Sequence, residues 1–265
     1  MAVVTITRGS ASGGRLLAEG LAKKLGYHIV SREEIIERAV RHGVSESDLD
    51  KALLDPPSFA EDFQRDRRSY LLFIQDALCE LAQKDNVIYH GNAGHLLLRG
   101  ISHLFRIHLI APLEFRVQKI IERTDMTAEE AVPYIQKIDA QRRAWNLFLY
   151  GVDWMNPNLY DLTINLENMS LDTAVELVAT ATKRPEYATT RKSQKTIDDL
   201  AFATRVKAIL ATDSATAPAE FDITADSSTG HVSLNGEMRP EDLRSVVIEK
   251  IRRIDGVKKV ITPRT

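Results

Sequence analysis

Cysteine is nearly absent from this chain of 265 residues, where Cys79 stands alone. That excludes a disulfide scaffold and any zinc site built from cysteines. Long apolar runs are also missing: no stretch approaches the ~20 residues that a membrane-spanning helix requires. The opening MAVVTITRGS lacks a basic start followed by a long apolar stretch, so no signal peptide is expected and the cytoplasm is the expected compartment. Neither sign of charge is in excess. Against 35 Lys and Arg stand 37 Asp and Glu, a formal net charge of -2, which argues against a dedicated nucleic-acid binder. Aromatic residues make up only 6%, but the 44% hydrophobic and 27% charged content is that of a globular chain and excludes wholesale disorder. The length allows one large domain or two smaller ones.

What is present begins with a β-branched run, Val3 to Thr7, that ends in Arg8-Gly9-Ser10-Ala11-Ser12-Gly13-Gly14, the chemistry of a turn. Leu16, Leu17, Leu21 and Leu25 then recur at helical spacing, with Gly26 as the stop. Tyr27 to Val30 reads as a second strand, and Ser31 with Glu34 as a capping box for a helix. Ser45 to Ser58 reads as a short helix broken at Pro56-Pro57. A long amphipathic helix covers about Arg68 to Lys84. Strands follow at Val87–Tyr89, Arg106–Ile110 and Leu162–Asn165. Helices open at Ala111-Pro112, at the Thr127–Glu130 capping box and at Ser170. Alternation of this kind predicts an α/β domain with a parallel sheet.

After residue 182 the composition shifts. Residues 183–195 hold five basic residues and one acidic one with almost no apolar content, which reads as a solvated tether. A compact pattern follows: a helix from about Asp198 to Ala211, strands at Phe221–Ala225 and His231–Leu234, a helix from Pro240 to Ile254 and a strand at Val257–Ile261. The expected division is therefore 1–182, a tether at 183–195, and an α-β-β-α-β module at 196–265.

The strand, glycine-rich loop and helix at the N-terminus form an anion site in principle, because loop and helix N–H groups converge there and the helix dipole favours negative charge. Gly9-x4-Gly14-Arg15 has Walker A spacing with arginine in place of lysine, and Leu16 and Leu17 stand where a hydroxyl would hold magnesium. Arginine still brings charge and bidentate phosphate contacts. The loop residues Gly9, Ser10, Ala11, Ser12, Gly13, Gly14, Arg15 and Leu16 are the candidate nucleotide-binding set. No G-x-G-x-x-G occurs, G-x3-G-x-G fails at Arg15, and no Tyr-x3-Lys pair is placed for a reductase, so phosphoryl chemistry is favoured over hydride transfer. Arg116, Lys119 and Arg123 share one helix face. His90, His95 and His103 cluster without a fixed carboxylate, and no metal site is assigned.

The segments ITRGSASGGRLLAEGLAKKLGYHIVSREEI, NVIYHGNAGHLLL, LFRIHLIAPLEFRVQKIIER and IDAQRRAWNLFLYGVDWMNPNLYDLTIN, in this order over residues 1–182, resemble the cytidylate-kinase-like family of nucleoside monophosphate kinases. The resemblance implies a P-loop kinase fold, a parallel sheet with helices on both faces and a mobile lid. It implies ATP as donor, a pyrimidine nucleotide such as CMP as acceptor, and magnesium, for which no protein ligand is identified. By the same resemblance, Asp139-x-x-Arg142-Arg143 matches the lid pattern. Arg15, Arg142 and Arg143 become the candidate catalytic residues, Arg116, Arg123 and Asp139 the lid support, and Arg32, Glu33, His90 and Asn92 the acceptor side. The family often has Asp where this chain has Ser31, and Gly-Arg-Gly where it has His90-Gly91-Asn92.

Residues 196–265 resemble the BON domain through TRVKAILA, FDITADSSTGHVSLNGEM and IRRIDGVKKVITP, with Gly230, Gly236 and Gly256 at that family's glycine positions. This implies a small α+β module that takes a protein partner or a phospholipid. Its local net charge of -1 favours the protein partner. A homo-oligomer is compatible with the sequence. Two functions follow: a nucleotide kinase with a BON accessory module, or a catalytically weak nucleotide-responsive protein whose BON domain delivers the output.

Overall fold

The computed structural model describes residues 2–49, 61–213, 215–217, 220–239 and 243–262. The break expected at Pro56-Pro57 lies outside the described residues. The chain forms two compact units. One holds the segment up to Arg32 together with Lys84–Thr189, and the other holds two helices preceding Gln83 together with everything from Thr190 onward.

The first unit is built on five parallel strands in the order β2-β3-β1-β4-β5: β1 Val3–Arg8, β2 His28–Val30, β3 Val87–Tyr89, β4 Leu104–Ile110 and β5 Leu162–Asn165. Every pairing is parallel. The strand order turns at β1, which lies between β3 and β4, and in open α/β sheets such a switch point puts the ligand crevice at the carboxyl end of the strand. Helices α1 (Gly14–Leu25), α4 (Gly94–Leu97), α5 (Leu113–Ile121), α6 (Ala128–Tyr150) and α7 (Leu171–Thr182) complete this unit. The Thr127–Glu130 capping box forms as expected, with Glu130 N donating to Thr127 Oγ1 at 3.3 Å and Thr127 N to Glu130 Oε2 at 2.8 Å.

Alternation in β1 decides what each face of the sheet carries. Val4 and Ile6 join Ile88, Phe105, Ile107, Leu109 and Ile164 in one buried apolar layer under Leu17 and Leu21 of α1 and Val178 of α7. Each fully buried side chain of this kind contributes on the order of 2 kcal/mol. Thr5 and Thr7 face the other way, in register with Arg106 and His108. That face is polar and closed: Thr7 Oγ1 shares a hydrogen bond of 2.9 Å with His95 Nδ1 on α4.

The second unit contains α2 (Arg32–Ala39), α3 (Glu61–Ala82), α8 (Arg191–Ala211), α9 (Arg244–Arg252) and a mixed sheet in the order β6-β7-β8: β6 Glu220–Asp226, β7 His231–Arg239 and β8 Lys259–Ile261. The expected α-β-β-α-β order is present. The helix expected from about Asp198 starts at Arg191, however, because Thr190 caps it, accepting from Ser193 N at 3.1 Å. The last third of the expected solvated tether is thus helical, and Pro185–Tyr187 makes a 3-10 turn. α3 packs along α8: Gln83 Nε2 donates to Asp198 Oδ1 at 2.8 Å, and Cys79 is fully buried. Phe202, Val206, Leu210, Ile223, Val232, Leu234, Val247 and Ile251 form the core of the BON-like fold.

Candidate active site

The glycine loop sits where the topology puts the crevice. β1 ends at Arg8, the loop runs through Gly13, and α1 begins at Gly14. Two residues take left-handed backbone, Ala11 with φ 58° and Gly13 with φ 85°. Glycine at position 13 meets that demand without a Cβ penalty. Gly13 is also the N-cap of α1, where it brings no capping side chain, and the first turn holds no acidic residue. The amides that open α1 therefore keep their positive end uncompensated by a carboxylate of that turn.

The loop is clasped from α6. Asp139 Oδ1 accepts from Ser10 N at 2.8 Å, and its other oxygen accepts from Arg116 of α5. Arg116 also donates from Nε to Ser10 O at 2.7 Å. Arg142, one turn further along α6, donates to Arg8 O at 3.3 Å. Arg116, Asp139 and Arg142, three of the residues expected at the lid, thus meet at the end of β1. Arg143 does not join them: it is 59% exposed and paired with Asp153. Arg15 is 76% exposed and donates to Glu19 at 2.7 Å. Arg123 is exposed, with Nε on Lys119 O at 2.8 Å.

Positive charge accumulates around Arg8. Its pKa is lowered to about 10, first by burial and then by the charges of Arg142 and Arg123, against the opposing effects of Tyr89 and Asp139. Burial likewise lowers Arg142, with Asp139 opposing the shift and Arg116 adding repulsion. Crowded guanidinium groups of this kind favour an anion between them.

The loop expected on the acceptor side wraps the ring of Tyr89. A Cβ at Gly91 would stand 2.1 Å from the Tyr89 hydroxyl, and one at Gly94 would stand 2.4 Å from the ring. Between them Ala93 takes φ 57°. The Tyr89 phenol is pushed up to about 12 by burial, while Arg8, Arg142 and Arg32 pull it down. Asn92 Oδ1 accepts from Asn146 of α6 at 3.2 Å, which ties this loop to the same helix as Asp139 and Arg142. His90 is lowered by burial and by the charges of Arg8 and Arg15, so it stands beside the glycine loop as a neutral ring. Arg32 and Glu33 lie exposed in the first turn of α2.

An open cavity of about 500 Å³ lies at the carboxyl end of β5, lined by Asn165, Glu167, Asn168, Met169, Ser170 and Thr173. Leu166, at its edge, packs against Gly13. Magnesium finds no fitting donor set in the loop. Leu16 and Leu17 carry no side-chain oxygen, Asp139 is engaged by Ser10 and Arg116, and among the described residues no group of three His, Cys, Asp or Glu could hold a metal. His95 and His108 are instead packed on Tyr160, each with ring centroids at 4.7 Å, and Trp145 and Trp154 are buried.

Sequence reasoning missed Arg8 and Tyr89. The first could have been found by counting alternate positions in β1, and the second by the glycines two and five residues after it. The clasp on Ser10 joins residues 129 positions apart and leaves no local signal.

A parallel sheet of order 2-3-1-4-5 with a glycine loop at the end of its central strand defines a P-loop kinase fold. The chain belongs to the cytidylate kinase-like family, whose model matches residues 3–168. The BON domain model matches residues 198–263. A cytidylate kinase of Ignicoccus hospitalis is 28% identical over 181 residues, covering 67% of this chain and 97% of its own. One from Pyrococcus abyssi is 27% identical over 180 residues, covering 68% and 92%. The crystal structure of an uncharacterized protein from Eubacterium ventriosum shares the fold with TM-score 0.55 at 18% identity, over 68% of this chain and 97% of that one.

Proposed function

We propose that the chain transfers a phosphoryl group from ATP to a nucleoside monophosphate such as CMP. The observation that carries this reading is the clasped glycine loop: Ser10 is fixed by Asp139 and Arg116 at the carboxyl end of β1, with Arg142 beside it. The loop amides from Gly9 to Leu16 bind the donor phosphates, and the cavity at Asn165–Thr173 receives the donor's base. Arg142 balances the charge that spreads over the transferring group, and Arg143 and Arg15 reach it after leaving Asp153 and Glu19. Arg32, Glu33, His90 and Asn92 line the acceptor side. An oxygen of the acceptor phosphate attacks the terminal phosphorus of ATP, and ADP departs, so the protein's contribution is positioning and electrostatic. The loop side chains at positions 16 and 17 would offer magnesium no ligand, so any magnesium would have to be brought by the nucleotide.

The functional division follows the sequence. Residues 1–182 carry the kinase activity, 183–195 are a basic connection, and 196–265 are the accessory BON module. With a local charge of -1 that module takes a protein partner in preference to phospholipid, and the protein works in the cytoplasm. A second reading, a nucleotide-responsive protein of little or no activity, is favoured by one observation: leucines stand at positions 16 and 17, where the loop pattern would place a metal-binding hydroxyl.

A coupled assay of the full chain with ATP, magnesium and each nucleoside monophosphate separates the two. ADP formation with a pyrimidine acceptor supports the kinase. Measurable ATP binding without turnover on any acceptor would sink it and leave the second reading.

A further inference from the structure

We propose that Arg8, the last residue of β1, is the standing cation of the phosphate site and takes the place that P-loop spacing would give to Arg15. The ligand class is a polyphosphate, the di- or triphosphate end of a nucleotide. The proposal rests on the kinase reading only for that choice of ligand.

The alternation that buries Val4 and Ile6 against α1 turns Arg8 to the same side of the sheet, next to Leu109 across the β1–β4 pair. There its side chain lies over the first residue of α1. A Cβ on Gly14 would stand 2.5 Å from Arg8 Cδ and 2.7 Å from its Nε. A side chain at position 14 would therefore require Arg8 to move.

The neighbouring cations already have partners. Arg15 is held by Glu19, Arg116 by Ser10 O and Asp139, Arg123 by Lys119 O and Arg143 by Asp153. The Arg8 guanidinium has no hydrogen-bond acceptor among the described residues. The nearby charge that acts on it most strongly is that of Arg142, of the same sign; Arg123 repels it as well, against the opposing effects of Tyr89 and Asp139. A guanidinium crowded by like charge and left without an acceptor is unfavourable until an anion arrives. A polyphosphate oxygen accepting from Arg8 and from the opening amides of α1 supplies both the acceptor and the balancing charge. Arg15, by contrast, must first give up Glu19.

The test is calorimetric titration of the full chain with inorganic pyrophosphate and with ADP, neither of which requires turnover. Loss of a charged hydrogen-bond donor predicts that Arg8→Ala weakens pyrophosphate about tenfold or more. Arg15→Ala is expected to weaken it no more than about threefold, the scale of an exposed group. Gly14→Ala, which pushes Arg8 aside while keeping its charge, weakens binding as well, and adding Arg8→Ala to it costs little more. If Arg8→Ala does not fold, Gly14→Ala and Arg8→Lys carry the test, with Arg8→Lys intermediate between wild type and Gly14→Ala. Wild-type affinity in Arg8→Ala or in Gly14→Ala, or a loss in Arg15→Ala as large as in Arg8→Ala, overturns the proposal. A chain that binds pyrophosphate through Arg8 but transfers no phosphoryl group overturns the kinase reading alone. A kinase whose KM for ATP is unchanged by Arg8→Ala overturns this proposal alone.

Discussion

The two sheets of this protein treat charge in opposite ways. Around the mixed sheet of the second unit, cations have local partners: Lys195 bridges Asp199 and Asp226, Lys207 meets Asp222, Lys250 meets Asp213, and Arg205 donates to Asp255 O. At the carboxyl end of the parallel sheet, Arg8 and Arg142 are drawn inward, where Asp139 opposes the repulsion of neighbouring arginines and Arg8 has no hydrogen-bond acceptor among the described residues. Paired surface charge keeps a module soluble and asks nothing of a ligand. Uncompensated charge over a glycine loop lowers the stability of the ligand-free state and is regained when an anion binds. The contrast places the crowded arginines in the first unit and the paired surface charges in the second.

The contrast can be broken most forcefully at Asp139, the carboxylate that holds Ser10 N and Arg116 together. Asp139→Ala removes the acceptor of Ser10 N and strands Arg116. Loss of one partner from a largely buried pair predicts about 3 kcal/mol of destabilisation, measured by urea unfolding. A change within error would mean that the clasp does not hold the loop.

Acid sharpens the same comparison. Burial first, then the charges of Arg106 and His108, lowers His95 from 6.5 to about 4. Its folded-state pKa lies below its unfolded one, so the unfolded chain binds the proton more readily. The stability contribution is complete above about pH 6.5 and is lost as pH falls toward 4. The loss from this residue is about 2 kcal/mol at pH 5. His90, His103 and His108, also in the first unit, are shifted in the same direction by burial. Unfolding measured from pH 7.5 to 4.5 (a range of about three units, set by these pKa values) should show the decline, and His95→Gln should flatten it. A flat wild-type profile would refute the neutral, buried state of these rings.

The smallest effect is expected in the second unit. Lys195→Ala removes an exposed bridge between α8 and the β6–β7 turn and should leave the melting temperature unchanged within error. A clear drop would mean that the paired charges there hold the module together.

Much of the fold could be read locally. The β-branched run before Gly9 is β1, Gly26 stops α1, Thr127 and Glu130 cap α6, and Ser170 caps α7, all features whose causes lie within a few residues. The pair that engages Arg15 was equally local, since Glu19 stands four residues on along the same helix. The start of α8 was obscured by composition: a basic, apolar-poor stretch reads as a tether, while the Thr190–Ser193 cap that makes it helical is a weaker signal.

By itself the sequence determined the order of elements, the glycine loop, the family resemblance and the BON-like module, because periodicity, caps and glycines act over short spans of chain. Only the tertiary structure decided which arginines serve the loop. Asp139 reaches Ser10 and Arg142 reaches Arg8 across more than a hundred residues, and α3 joins α8 from the far part of the chain in the second unit. Charge balance is summed over distance in space, and that distance is set by the fold.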